Sequence, residues 1–391
     1  MYYLRQTQQE DLDTLHKLAK MVHFINLPAD KEIIAQKIDR SRSSFAAAAL
    51  GEKPRIDGGR DGSAAQRSPI YMFSIIDSET RTCHGTSMII AKMGTADAPN
   101  LSFAVSTRHF FSKDLGQGTS HTLLKLFLDT SGPTEIGGLI LAPSMRKHPD
   151  RLGKQLSLIR FHLMGLQPHL FSDHILAEMM APITADGRNF FWDALGRKFI
   201  NMSYTEADMF CQHSREFMLS LLPREEIYAT LLPGEARKLI GQVGPDTVPA
   251  RKMLEDLGFK YNHRIDPFDG GPHLEANVDD IPFIKKSLPD IFAGYCNPSQ
   301  AKKKGFVSVL HEDGEFRALY TSYAETESGG RAIRLPKEAA NLMMLEAGMP
   351  IGVTNFDLHG KDTHKPTSSE ARRRPAAAKP AKKKRAARAS A

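Results

Sequence analysis

Residues 134–161, TEIGGLILAPSMRKHPDRLGKQLSLIRF, restrict the possible fold more than any other stretch. The apolar run over 136–141 has the length of a buried strand, and Pro143 closes it. A basic turn over 146–154 follows. Apolar residues then return at helical spacing, at Leu156, Ile159, Phe161 and Leu163. Strand, basic turn and helix together can bind a phosphate. The first backbone N–H groups of a helix have no internal partner, and the helix dipole places partial positive charge beside them. Gly153 lets the backbone approach an anion, and Arg146, Lys147, Arg151 and Lys154 add charge. The plain alternative is an ordinary strand–loop–helix with a solvated basic loop.

A second stretch, PARKMLEDLGFKY over 249–261, reads as a short helix that stops at Gly258, the residue suited to a left-handed cap. An aromatic then leads into a strand. In this order the two stretches resemble the acyl-CoA N-acetyltransferase superfamily. There the early strand–turn–helix holds the CoA pyrophosphate, and a late helix and strand carry this second pattern.

The rest of the chain fits an α+β protein. A strand is expected over 2–5, a helix over 10–22, and a second helix capped by Asp30. Residues 51–69 read as a mobile loop, 70–77 and 85–92 as a hairpin, and 101–111 as a strand. Residues 119–128 read as a helix. The period of 171–180 suits either a strand or a short helix. Residues 190–199, holding the only tryptophan as a core anchor, read as one amphipathic helix, with more helix over 207–222 and 235–240. FDGGP at 268–272 is a tight turn. The expected organisation is a main domain over 1–290, a small β-rich appendage over 300–358, and a disordered basic tail over 361–391.

Charge bears on the choice of partner. The 391-residue chain carries +7, but eleven Lys or Arg and two Asp or Glu after residue 360 give that tail +9. The remainder is left at −2, so the folded part is nearly neutral. The tail reads as solvated, or as a segment neutralising nucleic-acid phosphates; it has no aromatic residue for base stacking. Three dispersed cysteines suggest a reducing compartment and no metal cluster. With no signal-like N-terminus and no apolar run near the roughly 18 residues a span requires, a soluble cytoplasmic protein without membrane contact is expected.

Further motifs carry a closer likeness. LPADKE (27–32), YMFSIIDSET (71–80), AEM (177–179), FWDALGRKF (191–199), EAD (206–208), IGQV (240–243), and GFKY with FDGGPHLEA (258–276) stand in one order. On these the chain resembles the arginine N-succinyltransferase family. The resemblance implies an N-acetyltransferase-like mixed sheet flanked by helices, and transfer of a succinyl group from succinyl-CoA to the α-amino group of L-arginine. It implies no permanently bound cofactor, succinyl-CoA as co-substrate, and a possible homo- or hetero-oligomer. The family's succinyl-CoA contact falls on Leu139, with Ile140 and Leu141 on the same strand and Arg146, Gly153 and Lys154 at the phosphate turn.

The sequence departs from the family in three places. The family's proton-donor histidine position is Gly244, which cannot transfer a proton. The phosphate turn is two residues longer and keeps only Gly153. Two family arginines are replaced by Ala104 and Met180. His263 and His273 are substitute proton donors by position, against the plainer reading as ordinary surface histidines. Glu178 and Asp269 are carboxylates that a guanidinium would pair with, or plain turn and helix hydrogen-bond acceptors. Loss of the acid leaves a second reading open, a non-catalytic relative that binds an acyl-CoA or amino acid as a regulatory subunit.

Overall fold

The structure, a computed structural model, describes residues 1–21, 27–52, 68–96, 98–184, 186–211, 214–326 and 331–360. The predicted loop over 51–69 falls largely outside these residues, and the basic tail falls wholly outside them.

Strand β1 (Tyr2–Gln6) leads into α1 (Leu12–Ala19) and α2 (Lys31–Ala49). Asp30 caps α2 as predicted, its side chain accepting the Ile33 N–H at 3.0 Å. Asp30→Ala is expected to cost about 1 kcal/mol in denaturant unfolding, the usual loss of an N-cap acceptor. Strands β2 (Ile70–Asp77) and β3 (Cys83–Ile90) form the expected antiparallel hairpin. Next come β4 (Asn100–Ser112) and β5 (Gln117–Asp129). The helix predicted over 119–128 is therefore a strand. Leu123, Leu124, Leu126 and Leu128 fit either period. The ladder with β4, from Asn100↔Asp129 to Ser112↔Gln117, is what selects the extended form.

Strand β6 (Thr134–Leu141), helix α3 (Leu152–Leu166) and strand β7 (His174–Glu178) realise the opening strand–turn–helix, and β7 settles the undecided segment. Five short helices follow: α4 (Phe190–Ala194), α5 (Gly196–Phe199), α6 (Tyr204–Phe210), α7 (Glu216–Leu221) and, after β8 (Ile227–Tyr228), α8 (Gly234–Leu239). The single helix expected over 190–199 is broken at Leu195, which leaves helical geometry at φ −121° and ψ −72°. Trp192 is fully buried, stacked on Phe268 at 5.0 Å and donating its Nε1–H to the Met202 carbonyl at 3.0 Å. Helix α9 (Val248–Leu257) ends at Gly258, whose φ of 110° is the left-handed cap read from sequence. It is followed by β9 (Lys260–Ile265), β10 (Pro272–Asn277) and α10 (Pro282–Lys285).

The chain closes with β11 (Ser287–Cys296), β12 (Lys303–Leu310), β13 (Phe316–Glu325), β14 (Ala332–Pro336), α11 (Lys337–Leu342) and β15 (Pro350–Asn355). These strands do not stand apart as an appendage. The boundary expected at 290 falls inside β11. The sheet is continuous, in the order β12-β15-β11-β14-β13-β1-β2-β3-β6-β7-β10-β9-β4-β5-β8. Strand β13 pairs with β1, and His162 on α3 is hydrogen-bonded to Ser308 Oγ on β12 at 2.7 Å. Two parallel contacts, β6–β7 and β11–β14, make the sheet mixed. α2, α3 and α9 contribute to one apolar core. α1, α11 and the near half of α2 contribute to a second. Helices α4, α6, α7 and α8 build a third against β4 and β5.

Candidate active site

Strands β6 and β7 pair only at Thr134↔Ile175 and Glu135↔Leu176 and then diverge. One cause is local. Between Thr86 and Met88 of β3 the ladder to β6 shifts register, so β6 carries an extra residue. Gly138 there adopts φ 56°, and a Cβ on it would lie 2.8 Å from Met88 Cε. A bulge of this kind bends a strand and re-aims its side chains. The gap is a cleft of about 120 Å³. Residues 136–139 of β6 form one side, and 177–180, the end of β7 and the two residues after it, form the other. Ser157 and Arg160 of α3 line it, as do Thr247, Ala250 and Leu254 around α9. Backbone N–H and C=O groups that two diverging strands leave unpaired can take an extended ligand between them, as a sheet edge takes a peptide.

The wall opposite α3 is acidic. Glu178 ends β7, while Asp266 and Asp269 sit in the turn between β9 and β10. The Phe268 and Asp269 N–H groups donate to Asp266 Oδ1 at 2.7 and 3.2 Å. Asp269 accepts from the Ala181 and Gly271 N–H groups at 2.8 and 2.7 Å, so both its oxygens hold the turn against β7. Burial and the neighbouring Asp269 carboxylate push the Asp266 pKa well above the usual range. Burial raises Asp269 to about 6, against backbone hydrogen bonds that lower it. Two carboxyls this close and this dry retain a proton that isolated aspartates would lose. Arg215 lines an adjoining pocket with Glu178 and Asp266 and donates to Asn100 Oδ1 at 3.1 Å. Asn100 Nδ2 in turn donates to Glu178 Oε1 at 3.0 Å.

The predicted site residues divide into those the fold assembles and those it does not. Leu139, Glu178 and Asp269 line the one cleft. Ile140 points the other way, into the core with α1 and β2. Leu141 is half-buried at the start of α3, where a Cβ on Gly153 would touch only Leu141 Cδ2, at 3.7 Å. Helix α3 begins at Leu152, four residues before the first periodic apolar residue, with Arg151 left-handed at φ 48°. Arg146 lies 3.7 Å from Asp246, and Lys154 donates to the Leu358 carbonyl at 3.0 Å. Both sit at the α3 N-terminal end, outside the cleft lining.

Gly244 adjoins the cleft, its N–H donating to the Met180 carbonyl at 3.0 Å. His263 is exposed on β9 at φ 53°. His273, read as a surface residue, is instead 1% exposed; it pairs with Glu178 at the end of the β7–β10 ladder, inside the continuous sheet. Its Nε2 has no hydrogen-bond partner and lies 3.8 Å from Glu178 Oε1, and burial lowers its pKa, so it is neutral. Glu178, Asp266 and His273 place ligand atoms within 4.8 Å of one another, the nearest approach to a cation-binding set among the described residues. Arg215 already supplies positive charge beside the two carboxylates.

Sequence reasoning missed Asp266 and Arg160. Asp266 precedes a recognised turn, and Arg160 sits in the periodic helix. Neither position carries a local signal of a cleft. Among the described residues no helix is long and apolar enough to cross a membrane.

Residues 2–283 match the family described as arginine N-succinyltransferase beta subunit. An arginine N-succinyltransferase of Escherichia coli strain 55989 is 32% identical over 352 residues, spanning 89% of this chain and 96% of its own. One from Shigella flexneri is 34% identical over the same length and coverage. The solved structure of arginine/ornithine succinyltransferase subunit AI from Pseudomonas aeruginosa superposes with a TM-score of 0.72 at 25% identity, covering 91% of this chain and 98% of that one. The chain belongs to the arginine N-succinyltransferase family of acyltransferases.

Proposed function

We propose that the protein moves a succinyl group from succinyl-CoA to the α-amino group of L-arginine. The observation that carries this reading is the cleft between the diverging β6 and β7, faced by Glu178 and the Asp266–Asp269 pair. Diverging strands suit the pantetheine arm, and the basic N-terminal end of α3 suits the diphosphate. The acidic wall suits the acceptor's guanidinium and amine.

In the reaction the unprotonated amine attacks the thioester carbonyl. The C–N bond forms, charge collects on the carbonyl oxygen, the C–S bond breaks, and the thiolate takes up a proton. In this reading backbone N–H groups of β6 near Leu139 meet the oxyanion. Asp266 is the substitute for the absent histidine: it lines the cleft, no described residue donates to its Oδ2, and burial beside Asp269 raises its pKa well above the usual carboxylate range. Thiol release from succinyl-CoA by the purified protein tests this reading. Release that depends on L-arginine is the expected result. Release that ignores arginine, or none with succinyl-CoA bound, sinks it.

Gly244 favours a second reading, a chain that binds acyl-CoA without turning it over. Calorimetric binding of succinyl-CoA without thiol release would select that reading. A cytoplasmic setting fits the three free cysteines, two of them buried.

A further inference from the structure

One charged group in the cleft is not used by the chemistry above. Arg160 lies in the middle of α3, only 3% exposed, yet it lines the cleft. Its Nε donates to the Ser157 carbonyl at 3.0 Å and its Nη2 to Ser157 Oγ at 2.8 Å, both one turn back on its own helix. Its guanidinium also lies 5.8 Å from the Phe161 ring. Among the described residues no carboxylate pairs with it. Burial lowers its pKa only to about 9, so it stays charged at neutral pH. A buried guanidinium without a counter-ion is costly, and such groups are normally paired. Asp266, Asp269 and Glu178 line the same cleft from the β7 and β9–β10 side, but none of them reaches Arg160. Every other residue lining the cleft is neutral or acidic.

We propose that Arg160 is the subsite for a substrate carboxylate, and that this carboxylate is the free end of the dicarboxylic acyl group. The inference rests on the succinyl-transfer reading above. Its position on α3 assigns the carboxylate to the donor. Nine residues separate Arg160 from Arg151, roughly 13 Å along a helix. A donor with its diphosphate at the α3 N-terminus and its arm along β6 runs beside that helix and carries its acyl end toward the depth of Arg160. The acidic residues occupy the opposite wall, where an amine acceptor would be held. Arg160 would thus select a succinyl over an uncharged acyl chain of the same length, with Ser157 fixing the plane of the guanidinium.

The test compares wild type, Arg160→Gln and Arg160→Lys across two substrate pairs. Succinyl-CoA against butyryl-CoA, which lacks the terminal carboxylate, probes the donor. L-Arginine against agmatine, which lacks the α-carboxylate, probes the acceptor. Calorimetric binding of both CoA esters accompanies the rates. In Arg160→Gln, kcat/KM for succinyl-CoA should fall on the order of 10²-fold while that for butyryl-CoA holds, and the arginine-over-agmatine preference should be unchanged. Arg160→Lys should restore part of the donor preference. The melting temperature should not fall, since no ion pair within the protein is lost.

A collapse of the acceptor preference with the donor preference intact overturns the assignment and places the amino acid's carboxylate there. Equal losses for both CoA esters with a lowered melting temperature mean a structural role and overturn it too. Wild type that prefers succinyl-CoA, with the preference kept in Arg160→Gln, overturns Arg160 alone. Wild type that binds neither ester overturns the succinyl-transfer reading and this inference with it.

Discussion

Gly244→His is expected to raise kcat for arginine-dependent thiol release from succinyl-CoA on the order of 10²-fold, the lower range of what a positioned general acid contributes. The backbone allows the change. Gly244 is not among the residues at positive φ, and a Cβ there would meet the Ala181 carbonyl oxygen at 3.4 Å, its carbon at 3.6 Å and Pro182 Cα at 3.7 Å, all ordinary contacts. The position also adjoins the cleft, because its N–H is held by Met180, a lining residue. The measurement is single-turnover CoA release at saturating substrates, so that chemistry rather than product release is read. An unchanged rate in a variant that still binds succinyl-CoA would show that an imidazole at 244 does not reach the thiolate.

Asp266→Asn is expected to lower kcat of the unmodified chain by about 10²–10⁴-fold, with a smaller loss when made in the Gly244→His background. Asparagine retains an oxygen to accept the Phe268 and Asp269 N–H groups that hold the turn, so the change removes a proton rather than a fold contact. The pH profile separates this role from a structural one. A donor must be protonated, so wild-type activity should decline as pH rises through the raised Asp266 pKa, and the variant should lack that limb. Stability falls in the same direction. The folded carboxyl binds its proton more tightly than the unfolded one, so the native state loses stability as pH climbs from the usual carboxylate range through the raised pKa. Asp266→Asn removes that loss, and its melting temperature above neutral pH should equal or exceed wild type. A variant that melts lower and keeps the alkaline limb would assign Asp266 to the turn alone.

These two residues mark how far the candidate site could be read beforehand. Gly244 was visible because it stands after IGQV, where a motif is interrupted, and an interruption in an ordered set of motifs needs no structure to be noticed. Asp266 was not, because its chemistry comes from burial beside Asp269, and burial is produced by strands and helices far apart in sequence. His273 shows the same limit in reverse. On the chain it is a histidine after a Gly-Gly-Pro turn. In the sheet its register opposite Glu178 removes it from water and leaves it neutral. Leu139 lines the cleft, but Ile140 beside it faces the opposite side of the strand, as alternation requires.

What the sequence determined by itself was local and ordered. The strand–turn–helix at 134–161, the Asp30 cap, the Gly258 stop, the paired strands at 70–92 and the family motifs all depend on neighbours within a few residues, whose preferences survive in any context. Tertiary structure decided what depends on partners distant in the chain. The ladder with β4 made 117–129 a strand rather than a helix. The pairing of β13 with β1 merged the expected appendage into one sheet. The bulge at Gly138 bends β6 where it parts from β7, and Arg160, Glu178 and Asp266 meet in the cleft between them. Hydrogen-bond registers and desolvation are properties of the assembled sheet, and no window of sequence contains them.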